Sequence, residues 1–266
     1  MGLLVLLSSI FARLTFYFQL VLFIQCVLLA SSAGMVASPL LRMLRRKPTV
    51  NWVGALAMRI LAEHILGITV EVIGAENLVR ARDTPCIIVA NHQNLLDTVW
   101  LSWVFPRKAV LVANKFISRI PVLGWFMRLG GSLFVEQGDK QSIKALFEDS
   151  LHYLEKEKTS IVMFPEGKRN PSETGALLEF KKGAFYLAYC THAPVIPIAV
   201  QCTHSLYSWP DFCFRRNCII RIRVLAPIST QFLTEEDIPT LVADTRRDIQ
   251  KACLSLTSLA TQNATT

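Results

Sequence analysis

Three common signatures are missing from this sequence of 266 residues: a Gly-x-Ser-x-Gly elbow, a Gly-x-x-x-x-Gly-Lys-Ser/Thr phosphate loop and a Gly-x-Gly-x-x-Gly fingerprint. The first absence argues against a serine hydrolase, whose nucleophile sits on a strained strand-to-helix turn. The other two argue against a nucleotide cofactor cradled by a glycine loop. Charge is absent where its absence is informative, because no charged residue lies between Arg13 and Arg42. About 20 apolar residues cross a bilayer core of about 30 Å, and residues 14–33 meet that requirement. Residues 2–12 are equally apolar, so a single span and two shorter helices joined near Arg13 within one leaflet both fit the composition. No Lys or Arg precedes residue 13, which weakens a cleavable signal peptide despite the small residues Ala30, Ser31, Ser32, Ala33 and Gly34.

Seven cysteines, an odd number without framework spacing, fit a reducing compartment better than a disulfide scaffold. The net charge of +8 comes with no basic helix interleaved with aromatics, so no nucleic-acid partner is expected. Anionic lipid headgroups account for it more simply, each basic residue near a bilayer adding about 1 kcal/mol of attraction. Arg42, Arg45, Arg46 and Lys47 follow the apolar segment, and the positive-inside tendency puts that side in the cytosol. Hydrophobic residues make up 52% of the chain, enough for one sizeable α/β domain and too many for a wholly soluble one. The repeated triplet Cys190-Thr191-His192 and Cys202-Thr203-His204 invites a zinc site, with Cys213 and Cys218 as further donors. The predicted strand over 195–200 holds the two triplets apart at about 3.3 Å per residue, so no metal is expected.

Residues 1–47 read as a membrane anchor, 48–258 as the catalytic domain and 259–266 as a polar tail. That tail carries the sequon Asn263-Ala264-Thr265, which the predicted orientation leaves in the cytosol. An apolar helix is predicted over 52–66, with Glu63 and His64 as its polar edge. Strands are predicted over 69–73, 86–90, 109–113, 131–135, 161–164, 195–200 and 219–224, seven in all. Ile143, Leu146, Phe147, Leu151 and Leu154 form a helical stripe after the start signal Gly138-Asp139. The alternation predicts an α/β fold, a mostly parallel sheet covered by helices, with function at the carboxyl ends of its strands. Residues 115–126 mix basic and large apolar side chains, which suits either a lipid-facing surface or buried packing.

Two segments lie just beyond such strand ends. In Ala90-Asn91-His92-Gln93-Asn94-Leu95-Leu96-Asp97, a turn between His92 and Asp97 lets the carboxylate reach back to the imidazole. A carboxylate bonded to one ring nitrogen leaves the other free to accept a proton near neutral pH, which is the arrangement of a general base. In Ile161 to Pro171, an apolar strand empties into Pro165-Glu166-Gly167-Lys168-Arg169. Pro165 ends the ladder, Gly167 permits close backbone approach, and Lys168 with Arg169 offers donors suited to phosphate. Lys181, Lys182 and Gly183 follow and open the apolar stretch 184–188.

Together these segments resemble the glycerolipid acyltransferase family that contains the 1-acylglycerol-3-phosphate acyltransferases. Asn91-His92 with Asp97 is similar to the family's first block and Gly131-Ser132-Leu133-Phe134-Val135-Glu136 to its second. Phe164-Pro165-Glu166-Gly167 with Arg169 is similar to the third, and Val195-Ile196-Pro197-Ile198-Ala199-Val200 to the fourth. The likeness runs from Thr69 to Pro227. Three positions depart from it: many relatives carry threonine at Lys168, serine at Asn94 and, at Gln137, an arginine thought to help hold the acceptor's phosphate.

The resemblance implies an acyl-CoA-dependent O-acyltransferase without cofactor, acting on a lysophospholipid at an intracellular membrane, in a eukaryote the endoplasmic reticulum. His92 and Asp97 are its implied catalytic pair; Glu166, Gly167, Lys168, Arg169, Lys115 and Lys181 are its implied substrate-binding residues. Oxyanion donors are sought among backbone amides near His92 or Gly167. The expected acceptor is 1-acylglycerol-3-phosphate, giving phosphatidic acid. The departures at Gln137 and Lys168 keep open another lysophospholipid as acceptor and a catalytically silent membrane scaffold, and a CoA-independent transacylase is the further alternative.

Overall fold

The computed structural model describes residues 2–79 and 84–262, except for the side chains of residues 2–6; the Asn263 sequon lies outside the described residues. α1 (Gly2–Met43) is one helix that passes Arg13 unbroken. The turn between the first two helices falls instead at residues 44–48, and α2 (Thr49–Leu61) packs back along α1. A π turn over Ala62–Leu66 and Gly67, at φ +65°, lead into β1 (Ile68–Ile73). The predicted helix over 52–66 is therefore an α-helix that loosens in its last turn.

β2 (Ile87–Ala90) and α3 (Asp97–Val104) come next, then β3 (Ala109–Asn114), α4 (Leu123–Leu129) and β4 (Leu133–Val135). α5 (Lys140–Glu155) starts on Asp139, whose carboxylate accepts from the Gln141 N–H at 3.0 Å. β5 (Ser160–Met163), α6 (Gly183–Thr191) and β6 (Val195–Val200) follow. A hairpin of β7 (Tyr207–Ser208) and β8 (Cys213–Phe214), which the sequence pattern did not predict, precedes β9 (Cys218–Val224). α7 (Ile238–Gln262) closes the described chain and makes residues 259–262 of the expected tail helical.

The sheet has seven strands in the order β1-β9-β6-β2-β5-β3-β4. Every neighbouring pair is parallel except β6 with β9, so β1 and β9 run against the other five. The carboxyl ends of β2, β3, β4, β5 and β6 consequently share one edge. Successive residues of β2 face opposite layers, as a strand's two-residue period requires. Ile88 and Ala90 join Leu96, Val99, Trp100 and a stripe of α1, whereas Ile87 and Val89 join Leu154, Phe185, Leu187, Ile249 and Leu256. Both faces of the sheet are covered, which is why its central strands read as unbroken apolar runs.

α1 serves two surfaces. Phe16, Leu20, Phe23, Cys26 and Ala30 are buried in the domain core, while Phe11, Leu14, Phe18, Val21, Val36 and Leu40 are exposed. The ring of Phe126 wedges between α1 and α2 where both carry glycine. A Cβ on Gly34 or on Gly54 would meet the ring at 2.4 or 2.3 Å. Before it, Val122 at φ +64° and ψ −62° forms a tight turn closed by the Leu123 N–H to the Pro121 carbonyl at 2.7 Å.

Candidate active site

β2 and β5 are adjacent, with Val89 paired to Met163. His92 and Glu166 each lie three residues past that pair, so the two turns leave the sheet side by side. They are tied directly: the His92 N–H donates to Glu166 Oε1 at 2.8 Å, and the Asn170 N–H donates to the His92 carbonyl at 2.8 Å. The proton-accepting and basic segments read from the sequence therefore lie side by side at one edge of the sheet.

His92 Nδ1 meets Asp97 Oδ2 at 2.7 Å. The same oxygen accepts from the N–H groups of Gln93 at 2.8 Å and Asn94 at 3.1 Å, while Oδ1 accepts from Trp100 Nε1 at 2.8 Å. Asp97 is only 3% exposed, so these donors take the place of water around the carboxylate. The imidazole is one-fifth exposed, and Phe164 stacks on it with ring centroids 4.1 Å apart. With Nδ1 engaged, Nε2 is the nitrogen available to a ligand.

Glu166 organises the second turn. Its Oε2 accepts from the Leu178 N–H at 2.9 Å and from Asn170 Nδ2 at 3.2 Å. Burial pushes its carboxyl above the ordinary value of 4.5, against the opposing pull of those hydrogen bonds and of His92. Gly167 adopts φ +72°, and a Cβ there would come within 2.7 Å of Lys181 Cε and Nζ, so the lysine lies directly over the bare glycine. The Lys181 N–H holds the Pro165 carbonyl at 2.8 Å. Lys168 and Arg169 are exposed at the tip. Arg169 is near enough to Tyr207 that its charge partly offsets the upward push that burial gives the phenol.

Other strand ends complete the rim. Lys115, after β3, pairs at 2.8 Å with Glu136, after β4, and both side chains are about half exposed. No hydrogen bond or ion pair joins Lys115 to the Glu166 turn among the described residues. Gln137 bridges instead, donating to the Gly167 carbonyl, so an amide just past β4 ties the loop. Asn94 donates to Thr203 Oγ1 at 2.8 Å and accepts from the Leu96 N–H at 2.9 Å. Gln93 Nε2 reaches the Gln201 carbonyl at 2.8 Å, and Asn91 exchanges bonds with the Val200 backbone at 3.1 and 2.8 Å. These amides dock the His92 turn onto the end of β6.

The amides of His92, Gln93, Asn94 and Gly167 are all committed within the protein. These four are therefore not free to serve as oxyanion donors. The triplets once considered for zinc are also engaged elsewhere: His192 Nδ1 faces the Thr230 carbonyl at 3.2 Å, His204 faces Asp211 at 3.5 Å, and the Cys202 thiol reaches the Ser172 carbonyl at 3.2 Å. Sequence reasoning missed Trp100 and Phe164 as parts of the site. The only sequence signal for Trp100 is its position three residues after Asp97 on a helix.

A family model described as Acyltransferase matches residues 69–201, half of the chain. The 1-acyl-sn-glycerol-3-phosphate acyltransferase of Saccharomyces cerevisiae is 34% identical over 230 residues, covering 86% of this chain and 75% of its own length. The 1-acyl-sn-glycerol-3-phosphate acyltransferase beta of Homo sapiens is 31% identical over 204 residues, covering 77% and 72%. The crystal structure of the 1-acyl-sn-glycerophosphate (LPA) acyltransferase PlsC from Thermotoga maritima has a TM-score of 0.69 at 22% identity, covers 92% of this chain and 96% of that one, and shares its fold. With its blocks in order on this fold and relatives above 30% identity over most of its length, the chain belongs to the acyltransferase family and is like the 1-acyl-sn-glycerol-3-phosphate acyltransferases within it.

Proposed function

We propose that the protein transfers an acyl chain from acyl-CoA to the free hydroxyl of 1-acylglycerol-3-phosphate, giving phosphatidic acid at a membrane surface. The observation that carries this reading is the 2.7 Å contact of His92 Nδ1 with buried Asp97, beside a turn crowned by Lys168, Arg169 and Lys181. In the proposed step, His92 Nε2 takes the hydroxyl proton as the oxygen attacks the thioester carbonyl. Asp97 holds the tautomer and balances the imidazolium that forms. Collapse of the tetrahedral intermediate makes the ester and breaks the thioester. CoA leaves as a thiolate, readily, because thiols titrate near about 8.5, and the proton on His92 then passes to it. No cofactor takes part in this scheme.

Lys181, Arg169 and Lys168 supply the positive field for the acceptor's phosphate and for charge building on the thioester oxygen. Gly167, bare of a Cβ, lets Lys181 lie against the turn where that phosphate would bind, and Glu166 holds the loop against His92. Membrane association is supported by the exposed apolar side of α1, by Phe116 and Trp125, which are 64% and 55% exposed, and by the exposed Arg42, Arg45, Arg46 and Lys47.

The test compares purified wild type with His92→Ala, following CoA release from acyl-CoA with lysolipid acceptors that do or do not carry a phosphate monoester. His92→Ala is expected to lose roughly 10³-fold in turnover, and the phosphate monoester to rank first among acceptors. Equal, negligible turnover in both proteins would favour a scaffold. Product formed without acyl-CoA would identify a transacylase.

A further inference from the structure

The two oxygens of Asp97 are not equivalently held. Oδ2 receives His92 Nδ1 and the N–H groups of Gln93 and Asn94, whereas Oδ1 receives the Trp100 indole N–H at 2.8 Å. Asp97 is 3% exposed and Trp100 fully buried, so water is not at hand to replace that donor. Trp100 also meets Phe164 edge-on, with centroids 6.2 Å apart at 86°, and Phe164 stacks on the His92 ring at 20°. Two paths thus run from Trp100 to the imidazole, one through the carboxylate to Nδ1 and one through Phe164 to the ring face.

We infer that Trp100 is a positioning residue for acyl transfer, fixing through its indole N–H the plane of the Asp97 carboxylate and hence the direction in which His92 presents Nε2. The inference rests on His92 and Asp97 acting as proposed above. The torsion that orients a carboxylate is soft. With Oδ1 left bare in a dry site, the group turns to share the donors that remain and draws Oδ2 off the line to Nδ1. Partners that orient a functional histidine from behind typically matter by 10- to 100-fold.

The experiment separates donor from packing. Trp100→Phe removes the N–H and trims the ring, whereas 3-benzothienylalanine introduced at position 100 keeps the outline of tryptophan and puts sulfur in place of the N–H. Trp103→Phe is the control, an indole on the same helix that packs on the Arg59 guanidinium at 5.1 Å. The expected result is a loss of roughly 10- to 100-fold in kcat for both N–H-less proteins, with KM within about twofold. The acid limb of their kcat/KM profiles should move to lower pH, because a carboxylate drawn off the line to Nδ1 holds the imidazolium less firmly. Trp103→Phe should leave the profile in place.

A benzothienylalanine protein with wild-type kcat and profile overturns the inference. So does a uniform loss that tracks the folded fraction and leaves the profile unmoved. His92→Ala measured alongside keeps the two readings apart. If that variant turns over like wild type, the proposed function fails. If it is inactive while the benzothienylalanine protein behaves as wild type, only the role of Trp100 fails.

Discussion

The N–H of His92 donates to Glu166 Oε1 at 2.8 Å, joining two residues 74 positions apart in the chain at the ends of adjacent strands. Glu166 accepts three donors in total, from His92, Leu178 and Asn170. A glutamine there offers one acceptor oxygen, so at least one donor faces an NH₂ group. Glu166→Gln and Glu166→Ala are therefore expected to lower kcat/KM by roughly 10²-fold through misplacement of the basic turn. Steady-state kinetics with both substrates varied checks this.

The same carboxyl makes a signed prediction about pH. Burial, the largest influence, raises its folded-state value above 4.5, so folding favours the protonated form. Its contribution to stability is fully present below the unfolded value and is lost as pH rises through the raised folded value. Denaturant midpoints of wild type should fall relative to those of Glu166→Gln over that window, measured in detergent from about pH 4 to pH 8. A difference that stays flat, or grows with pH, contradicts the assignment.

Gly167→Ala combines a left-handed backbone with a collision at 2.7 Å against Lys181. The backbone alone costs about 1–2 kcal/mol, and Lys181 must leave its place over the turn. A lower melting temperature together with a raised acceptor KM is expected. Retention of wild-type KM would place Lys181 outside acceptor binding.

Lys181 and Lys115 were both candidate phosphate ligands, and their surroundings separate them. Lys181→Met should raise the acceptor KM roughly 10- to 100-fold, the worth of a charge-assisted hydrogen bond. Lys115 is spent on Glu136 in a half-exposed pair, so Lys115→Met should change KM by less than about threefold. Acceptor titrations at saturating acyl-CoA compare the two directly.

Gly54→Ala pushes a methyl to within 2.3 Å of the Phe126 ring. Such overpacking costs about 1–3 kcal/mol. Pairing it with Phe126→Leu should recover part of the loss, a non-additivity that thermal unfolding of the two single variants and the double variant would reveal.

What could be read in advance followed burial and local chemistry. Ile87 to Ala90 and Ser160 to Val162 are dry on both faces of the sheet, and a doubly covered strand announces itself as a largely apolar run. The turns that carry His92 and Glu166 were equally plain, since asparagine, histidine and glutamine interrupt the first run, and proline, glycine and charge the second. The reversed direction of β1 and β9 left no trace, because apolar alternation does not record strand polarity. Nor could the buried stripe of α1 be told from its exposed side, as Phe16 and Phe18 are chemically the same while one is 1% and the other 66% exposed. Lys115 was assigned through the family resemblance, but the sequence did not show that Glu136 would take up its charge. Trp100 resembled every other apolar residue of its helix; its N–H counts only because Asp97 Oδ1 lies opposite.

The inner stripe of α1 bears on how the protein is made. Phe16 packs against Tyr207 at 6.2 Å and Phe23 against Phe214 at 5.7 Å, so part of this stripe is covered only once the much later β7–β8 hairpin has been synthesised. A chain stopped before the β7–β8 hairpin would uncover part of that stripe, and one begun after Ala30 would open the core on the sheet face that holds Trp100. Removing α1 to gain a soluble protein therefore works against the fold itself, because the helix that faces outward with one side closes the core with the other.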